Sequence, residues 1–347
     1  MQLTDMTIEE LEKLLEGLGE PAYRARQIFS WLSRGVHPLD MTNLPKPLRF
    51  ELSRMPQGYV SVFQKRVSAL DGTAKYLFSL DDDNLVEGVL MRYHYGNTAC
   101  ISTQVGCRMG CTFCASTLEG RVRDLTAGEM LGQISAIEFD EPPKSAQERT
   151  VTNVVLMGSG EPLDNFDNVV RFLRLVSHPD GMGISPRNIS VSTCGLAPMI
   201  YRFMAEAPHV TLSISLHAHD DETRSRIMPV NRIYPIADVV AAAKAYAEKT
   251  GRRVVFEYAL IAGVNDADDD AVALSKLLRG INCHVNLIPL NSVPERRLTG
   301  SGRSRARAFN DVLMSRHISA TIRREMGADI EGACGQLRRR VKHDLRI

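Results

Sequence analysis

From Cys100 onward, short apolar segments alternate with longer amphipathic ones, and this alternation limits the possible folds more than any other feature of the sequence. Five apolar runs are as long as buried strands, and longer segments, each long enough for a helix, separate them. The runs are 151–157, 189–192, 210–216, 254–261 and 285–290. Repeated βα units of this kind predict a parallel sheet. We therefore expect an α/β fold, either a partial or complete barrel or a doubly wound sheet, with its chemistry at the carboxyl ends of the strands.

The first hundred residues have a different pattern. Thr7 and Glu10 form a capping box at the start of an amphipathic helix, and short helical pieces follow. Alternating apolar residues around the acidic turn 81–84 then predict a β-hairpin. We accordingly divide the chain into four parts: a helical module (1–58), a β-hairpin linker (59–97), a partial barrel (98–325) and a C-terminal loop with a basic tail (326–347).

The composition is that of an ordinary folded protein. Hydrophobic residues make up 44% of the 347 residues and charged residues 24%, which excludes a disordered or collagen-like chain. No apolar run approaches the ~18 residues of a membrane span, and the acidic N-terminus does not resemble a secretory signal. We therefore expect a cytoplasmic protein.

The formal net charge is only +1, so any binding of nucleic acid requires a local basic surface. Residues 291–347 provide one candidate, with thirteen Lys and Arg against six Asp and Glu. The helical module is another, because it carries several Arg and Lys. In both regions the charges are also explained by a solvated helix face.

Three of the seven cysteines, Cys107, Cys111 and Cys114, follow a predicted strand with the spacing C-x3-C-x2-C. In a reducing compartment this clustering indicates metal or redox chemistry. A closed zinc site needs a fourth ligand, such as Cys100 or a distant histidine. A cluster of four irons uses three cysteines and leaves one iron open to a small molecule, and the missing fourth ligand favours this second interpretation.

This loop resembles that of the radical S-adenosylmethionine superfamily, in which it follows the first strand of a partial (β/α) barrel. The segment from Met157 to Pro162 is similar to the GxGEP region of the superfamily, and Gly160 and Glu161 would there meet the amino group of the methionine moiety. The chain has Gly-Ser-Gly where the family usually has Gly-Met-Gly. The resemblance implies one 4Fe-4S cluster, held by the three cysteines, and S-adenosylmethionine as cofactors.

Further residues are carried over by motif to the lining of the cofactor site, at the ends of consecutive predicted strands. They are Ser192, Ser215, Leu216, His217 and Asn291. Strand ends are where barrel sites lie. Each residue also has a structural interpretation as a hydrogen-bonded group at a strand end. We interpret Cys194 and Cys283 as core residues.

The resemblance narrows to the RlmN/Cfr RNA methyltransferases and covers nearly the whole chain, including the helical module. Three residues carry it: Glu87 in VEGVLMRYHYGNTAC, Cys100 seven residues before the cluster, and Cys334 in EGACGQL. The loop around Cys334 is rich in glycine and precedes three arginines, whose charges favour a thiolate. Without the resemblance, Cys334 has the features of a surface cysteine beside a basic tail.

The resemblance implies a mechanism that uses two molecules of S-adenosylmethionine per turnover. One methylates the thiolate of Cys334, and the other is cleaved to a 5′-deoxyadenosyl radical that removes hydrogen from the new methyl group. The resulting carbon radical adds to the adenine ring. Cys100 then attacks the sulfur of Cys334 and forms a disulfide, while Glu87 acts as the general base.

The implied substrates are C2 of an adenosine in 23S rRNA and of one in tRNA. We also expect an electron donor such as flavodoxin or ferredoxin, and a monomer. Three alternatives remain open at this point: a Cfr-type enzyme that methylates C8, a radical enzyme that activates a partner protein without acting on RNA, and a zinc-dependent RNA-binding module without catalysis.

Overall fold

The structure is a computed structural model that describes residues 2–143, 145, 148–291, 293–332, 336 and 340–341. The helices within these ranges are α1 (Ile8–Gly17), α2 (Arg24–Leu32), α3 (Lys46–Ser53), α4 (Ala127–Asp140), α5 (Phe166–Ser177), α6 (Ala197–Glu206), α7 (Asp221–Ile227), α8 (Ile236–Thr250), α9 (Asp268–Leu277) and α10 (Arg303–Ser315). None of them is long and apolar enough to cross a membrane.

The strands within the same ranges are β1 (Ser61–Val67), β2 (Ala74–Ser79), β3 (Asn84–Tyr93), β4 (Gly96–Cys100), β5 (Gln104–Gly106), β6 (Arg121–Asp124), β7 (Asn153–Leu156), β8 (Ile189–Thr193), β9 (Thr211–Ser215), β10 (Val254–Leu260), β11 (Cys283–Pro289), β12 (Ala320–Ile322) and β13 (Arg340–Val341). β5 and β6 form a separate antiparallel pair, and the others belong to one sheet.

The main sheet has the order β1-β2-β3-β4-β7-β8-β9-β10-β11-β12, with β13 paired to β3. From β4 to β12 all neighbours are parallel, and α4, α5, α6, α8, α9 and α10 lie on the successive crossovers. In the described residues the order does not close on itself, because β1 and β12 are its two edges. This open parallel array confirms the α/β fold expected from the alternation of strands and helices.

The predicted β-hairpin is present as β2 and β3, but it belongs to a longer antiparallel segment. β1 pairs with β2, β2 with β3, and β3 with β4, whose other edge joins the parallel strand β7. The hairpin therefore continues the parallel sheet. Antiparallel neighbours need only tight turns, and the sequence pattern alone did not show that all four strands share one ladder.

The N-terminal helical module contacts the helices of the parallel sheet at α4 and α5. Thr7 and Glu10 form the predicted capping box of α1, and the Glu10 carboxylate also accepts a hydrogen bond from Arg171 of α5 at 2.6 Å. The main-chain amide of Gly128, in the first turn of α4, donates to Asp5 at 2.7 Å. Side-chain contacts to two different helices thus position the N-terminal module against the sheet's helical layer.

Candidate active site

The loop that carries the three cysteines is closed at its base by the β5–β6 pair. The Cys107 amide donates to the Gly120 carbonyl at 3.0 Å. A Cβ on Gly106, whose φ is +74°, would lie 1.9 Å from that same carbonyl oxygen, so only glycine fits here. The Thr117 hydroxyl lies 3.0 Å from each of the carbonyl oxygens of Cys111 and Cys114. These contacts hold the loop in one shape.

The three thiols line one cavity at the carboxyl ends of the parallel strands. The carboxyl ends of parallel strands are where the sites of such folds lie. Burial raises the pKa of Cys107 to about 12 and that of Cys111 well above its ordinary value, and the nearby thiols add to both shifts. The thiolate forms are therefore favoured only when a cationic group offsets the burial.

The three thiols are the ligand set of an iron–sulfur cluster with one open iron, and all three line the same cavity. A 4Fe-4S cluster binds each thiolate on a different iron, so its three cysteines need only face the same cavity. The residues present fit the cluster.

Gly160 and Glu161 also line this cavity, directly after β7. The Glu161 carboxylate is buried, and it accepts hydrogen bonds from the amides of Leu163 at 3.0 Å and Cys194 at 2.7 Å. Burial raises its pKa. A carboxylate held in this way at a cavity wall is suited to binding a cationic group such as an ammonium.

The glycines of this segment allow two stretches of main chain to approach each other closely. A Cβ on Gly158 would lie 2.6 Å from the Ile101 carbonyl oxygen, and one on Gly160 would lie 2.7 Å from the Gln104 main-chain nitrogen. Both positions therefore allow the chain after β7 to pack against the chain after β4. Ser159, at the departure from the family pattern, is buried, and its hydroxyl has no hydrogen-bond partner among the described residues.

The other predicted cofactor residues lie at the ends of three strands, β8, β9 and β11. Ser192, Ser215, His217 and Asn291 line the cavity, and Leu216 is not part of its lining. His217 has a structural role as well, because its Nδ1 accepts a hydrogen bond from the Ala259 amide at 2.9 Å. The side chain of Leu216 is fully buried. Only its main chain takes part in the arrangement of the strand ends, through its carbonyl oxygen.

Arg224 organises these strand ends, and the sequence analysis missed it. Its side chain is fully buried and donates to the carbonyls of Leu216 at 3.0 Å, Cys194 at 2.7 Å and Ser215 at 3.2 Å, and to Asn231 at 2.8 Å. A single guanidinium group thus ties the end of β9 to the turn after β8. In the sequence it stands among charged residues that indicate a solvated helix face.

The sequence analysis did not place Cys194 and Glu257 at the cavity, although both line it. Cys194 is buried, as expected for a core residue, but it also lines the cavity and donates its amide to Glu161. Glu257 of β10 lines the same cavity, accepts a hydrogen bond from Asn286 at 2.8 Å and has its pKa raised by burial. Cys283 is buried in the core and lies outside the cavity lining.

A second, smaller cavity contains Cys100 and adjoins the first. The two share Met157, Ile288, Asn291 and Arg323. The second cavity is also lined by Met326 and Gly332, from the segment that follows β12. The C-terminal segment therefore reaches the cavity that contains Cys100.

Glu87 lies on the same face of β3 as two residues of the second cavity. Side chains two positions apart in a strand share a face, and Val89 and Met91 line the cavity with Cys100, which pairs directly with Val89. Glu87 itself is buried, is not part of the lining, and forms an ion pair with Lys75 at 3.2 Å. The structure thus brings Glu87 to the sheet face of Cys100.

Cys334 lies outside the described residues, as does the predicted disulfide with Cys100, which depends on it. Gly332 is the last described residue before it and lines the second cavity.

Comparison with known protein families identifies two matching regions. The profile of the radical SAM superfamily matches residues 101–274, which include the three-cysteine loop and strands β5 to β10. The profile of the ribosomal RNA large subunit methyltransferase N-terminal domain matches residues 1–57. The first match implies a 4Fe-4S cluster and S-adenosylmethionine as cofactors, in agreement with the geometry of the cavity.

Similar proteins cover nearly the whole chain. A protein of Thermoanaerobacter pseudethanolicus named "Probable dual-specificity RNA methyltransferase RlmN" is 48% identical over 97% of this chain and 98% of its own, and one of the same name from Symbiobacterium thermophilum is 49% identical over 98% and 92%. The crystal structure of a radical SAM methyltransferase from Sphaerobacter thermophilus superimposes with a TM-score of 0.92 at 46% identity, covering 97% of this chain and 99% of that one. The chain belongs to the RlmN family of radical S-adenosylmethionine RNA methyltransferases.

Proposed function

We propose that this RNA methyltransferase acts on C2 of adenine in 23S rRNA and in tRNA, with Cys334 as the residue that first accepts the methyl group. The observation that carries the proposal is the adjacency of the two cavities, which share four lining residues. The strand-end residues line the first cavity, and Cys100 and the C-terminal segment that precedes Cys334 line the second.

In this proposal Cys107, Cys111 and Cys114 hold the cluster, which together with bound S-adenosylmethionine supplies a 5′-deoxyadenosyl radical. The buried carboxylate of Glu161 binds the ammonium group of the cofactor. Polar groups at the cavity wall that can bind the cofactor are provided by the side chains of Ser192, Ser215 and Asn291. The main chain at the strand ends also shapes the cofactor site, at Gly160, Leu216 and His217.

The two residues on the β3–β4 ladder complete the reaction. The ring carbon C2 is electron-poor and has no lone pair, so a simple displacement on the methyl donor cannot methylate it. Glu87 acts as the general base for the ring proton. Cys100 attacks the sulfur of Cys334, so that the disulfide bond forms as the bond between that sulfur and the transferred carbon breaks. The released carbon takes up a proton and becomes the methyl group, and the single electron left from the radical addition passes to a one-electron carrier such as oxidised flavodoxin or ferredoxin.

The proposal also assigns the outer parts of the chain. The helical module of residues 1–58 docks RNA, the strands of 59–97 connect it to the barrel of 98–325, and residues 326–347 present Cys334. The basic residues of 291–347 contact phosphates, so binding of RNA weakens as the salt concentration rises.

Mass spectrometry tests the methyl-accepting role directly. We expect protein isolated from cells that supply S-adenosylmethionine to carry one additional methyl group on Cys334. The variant Cys334→Ala should carry none and should lose RNA methylation, while Cys283→Ala, which removes a core thiol outside the cavity, should keep both. Retained RNA methylation in Cys334→Ala would refute the mechanism and favour a radical enzyme of a different type.

Nucleoside analysis tests the position of methylation. Ribosomal RNA and tRNA treated with the reconstituted protein are digested, and the methylated adenosines are separated. We expect 2-methyladenosine from both RNAs. A product methylated only at C8 would contradict the proposal and identify a Cfr-type enzyme.

A further inference from the structure

Lys75 of β2 is a buried cation that joins two parts of the proposed site. Its side chain is only 8% exposed. Its Nζ lies 3.2 Å from Oε1 of Glu87 and 3.0 Å from the main-chain carbonyl oxygen of Glu331, to which it donates a hydrogen bond. One ammonium group therefore contacts both the carboxylate on β3 and the C-terminal segment. The two contacted residues, Glu87 and Glu331, are 244 positions apart in the sequence.

The segment that Lys75 contacts is a compact turn. The amides of Ile330 and Gly332 both donate to the Gly327 carbonyl, at 3.2 Å and 2.9 Å. Gly327 has φ +64° and Glu331 has φ +53°, and a non-glycine residue keeps such a conformation only where its surroundings impose it. The hydrogen bond from Lys75 to the Glu331 carbonyl is one such constraint.

The turn between β1 and β2 holds the other end of this segment. The Gly327 amide donates to the Asp71 carboxylate at 2.9 Å, and the Ala69 amide donates to the Asp329 carboxylate at 3.0 Å. With Lys75, these contacts fasten residues 327–332 to one hairpin of the sheet. Of these three contacts to the sheet and its turn, the hydrogen bond from Lys75 lies nearest in sequence to Cys334.

The register of the sheet explains why a lysine occupies this position. Lys75 pairs with Val89 across the β2–β3 ladder, and Val89 pairs with Cys100 across the β3–β4 ladder. The three side chains thus form one row on the face that carries Glu87. A long cationic side chain at the end of this row reaches the carboxylate diagonally and the C-terminal turn beyond it.

We propose that Lys75 is a positioning residue that holds the C-terminal turn, and with it the start of the Cys334 segment, in place beside the Glu87 carboxylate. The inference rests on the proposed function for the roles of Glu87 and Cys334. We call the contact by which Lys75 holds residues 327–332 the clamp, and its existence does not depend on those roles. The ammonium group needs both the Glu87 carboxylate and the Glu331 carbonyl oxygen, because a buried charge requires several partners to offset the free energy lost on removing it from water.

Hydrogen–deuterium exchange tests the clamp without depending on activity. In Lys75→Met, we expect the peptide that contains Ile330 and Gly332 to exchange at least about tenfold faster, since a hydrogen bond from a charged donor stabilises by a factor of that order or more. Lys75→Arg, which keeps a charged donor, should restore most of the protection. The matched control is Lys65→Met, which removes a lysine of β1 whose partners are Asp140 and Glu141.

The pattern of exchange separates a local clamp from a general loss of stability. Faster exchange confined to 327–332, with an unchanged exchange rate in the β7–β11 strands, supports the clamp. Unchanged exchange in Lys75→Met, or an increase spread uniformly over the chain, overturns it. If Lys75→Met does not fold, the double variant Lys75→Met with Glu87→Gln removes both buried charges, and its exchange at 327–332 is judged by the same criteria.

Activity then shows whether the clamp serves the reaction. We expect Lys75→Met to bind S-adenosylmethionine as the unaltered protein does, because Lys75 lies outside the first cavity, but to methylate RNA at least tenfold more slowly. If the unaltered protein fails to methylate RNA, the proposed function is refuted. Whether Lys75 holds residues 327–332 is then decided by hydrogen–deuterium exchange alone. Equal RNA methylation rates in the two proteins would refute the positioning role.

Discussion

The carboxylate of Glu161 accepts a hydrogen bond from the Cys194 amide at 2.7 Å and so joins the chain after β7 to the chain after β8. Its other oxygen accepts from the Leu163 amide. Both contacts fix the carboxylate at the cavity wall before any cofactor binds, which reduces the cost of ordering the site on binding.

Glu161→Gln should therefore weaken binding of S-adenosylmethionine by about 10- to 100-fold, because the amide keeps an acceptor oxygen but loses the charge that attracts an ammonium group. Equilibrium dialysis with anaerobically reconstituted protein measures the affinity. Glu138→Gln is the matched control, since that carboxylate also accepts two main-chain amide hydrogen bonds but lies outside the cavity. Equal affinities in the two variants would contradict the assignment of Glu161.

The same carboxylate predicts a pH dependence of cofactor binding. Burial raises the pKa of Glu161 above its ordinary value, so the group takes up a proton at a higher pH than an exposed glutamate does. Affinity for S-adenosylmethionine should fall as the pH drops through this raised pKa, and Glu161→Gln should remove that part of the dependence. A pH profile that is identical in both proteins would argue against ionisation of Glu161 as the cause.

Arg224→Lys should lower the free energy of unfolding by about 3 kcal/mol or more, because the ammonium group cannot replace the forked hydrogen bonds of the guanidinium and remains buried with unmatched partners. Denaturant unfolding measures the change. The exposed Arg202 provides the control, and Arg202→Lys should leave the unfolding midpoint unchanged. A stable Arg224→Lys protein would mean that the strand ends of β8 and β9 are held by other contacts.

Gly158→Ala should destabilise the protein by about 1–3 kcal/mol, the typical cost of forcing a group into a packed interior. The new Cβ would lie 2.6 Å from a main-chain carbonyl oxygen, which cannot move aside as a flexible side chain can. Gly302→Ala is the control, because a Cβ there meets no atom within 4 Å. Similar unfolding curves for the two variants would show that the chain after β4 shifts easily.

His217 should make the folded state less stable in acid. Burial lowers its pKa to about 3, so below about pH 6.5 the unfolded chain binds a proton that the folded protein does not. Stability from this group is complete above pH 6.5 and is lost as the pH falls towards 3, by at most about 1.4 kcal/mol per pH unit. His217→Asn should reduce this slope between pH 6 and 4, whereas His209→Asn, at an exposed position, should not.

The periodicity of the sequence was sufficient for the parallel strands β7 to β11, because buried parallel strands are continuous apolar runs. It did not predict β12, a parallel strand of three residues of which two are exposed. The same reasoning could not identify Arg224 or Lys75. Both are charged residues in locally polar segments, and their burial depends on carbonyls and carboxylates contributed by distant parts of the chain. The glycines around Ser159 were located correctly, but their packing against the chain after β4 depends on contacts that only the folded chain shows.

The site residues themselves came mainly from the resemblance to a family and only partly from local pattern. Six of the seven residues predicted to contact the cofactor line the first cavity, and Leu216 differs because its side chain points into the core. An alternating strand pattern could not distinguish Glu87 from a solvated residue. Its burial becomes evident only once β2, β3 and β4 are known to share a ladder.

β13 pairs with the first residues of β3, through Arg340 with Leu85 and Val341 with Asn84. The chain before the stretch 333–339 is fastened to the neighbouring strands by Lys75 and Asp71, and the chain after it is fastened to β3 by this pairing. Both ends of the stretch are therefore attached to the same antiparallel strands, so that a movement of these strands displaces both ends together.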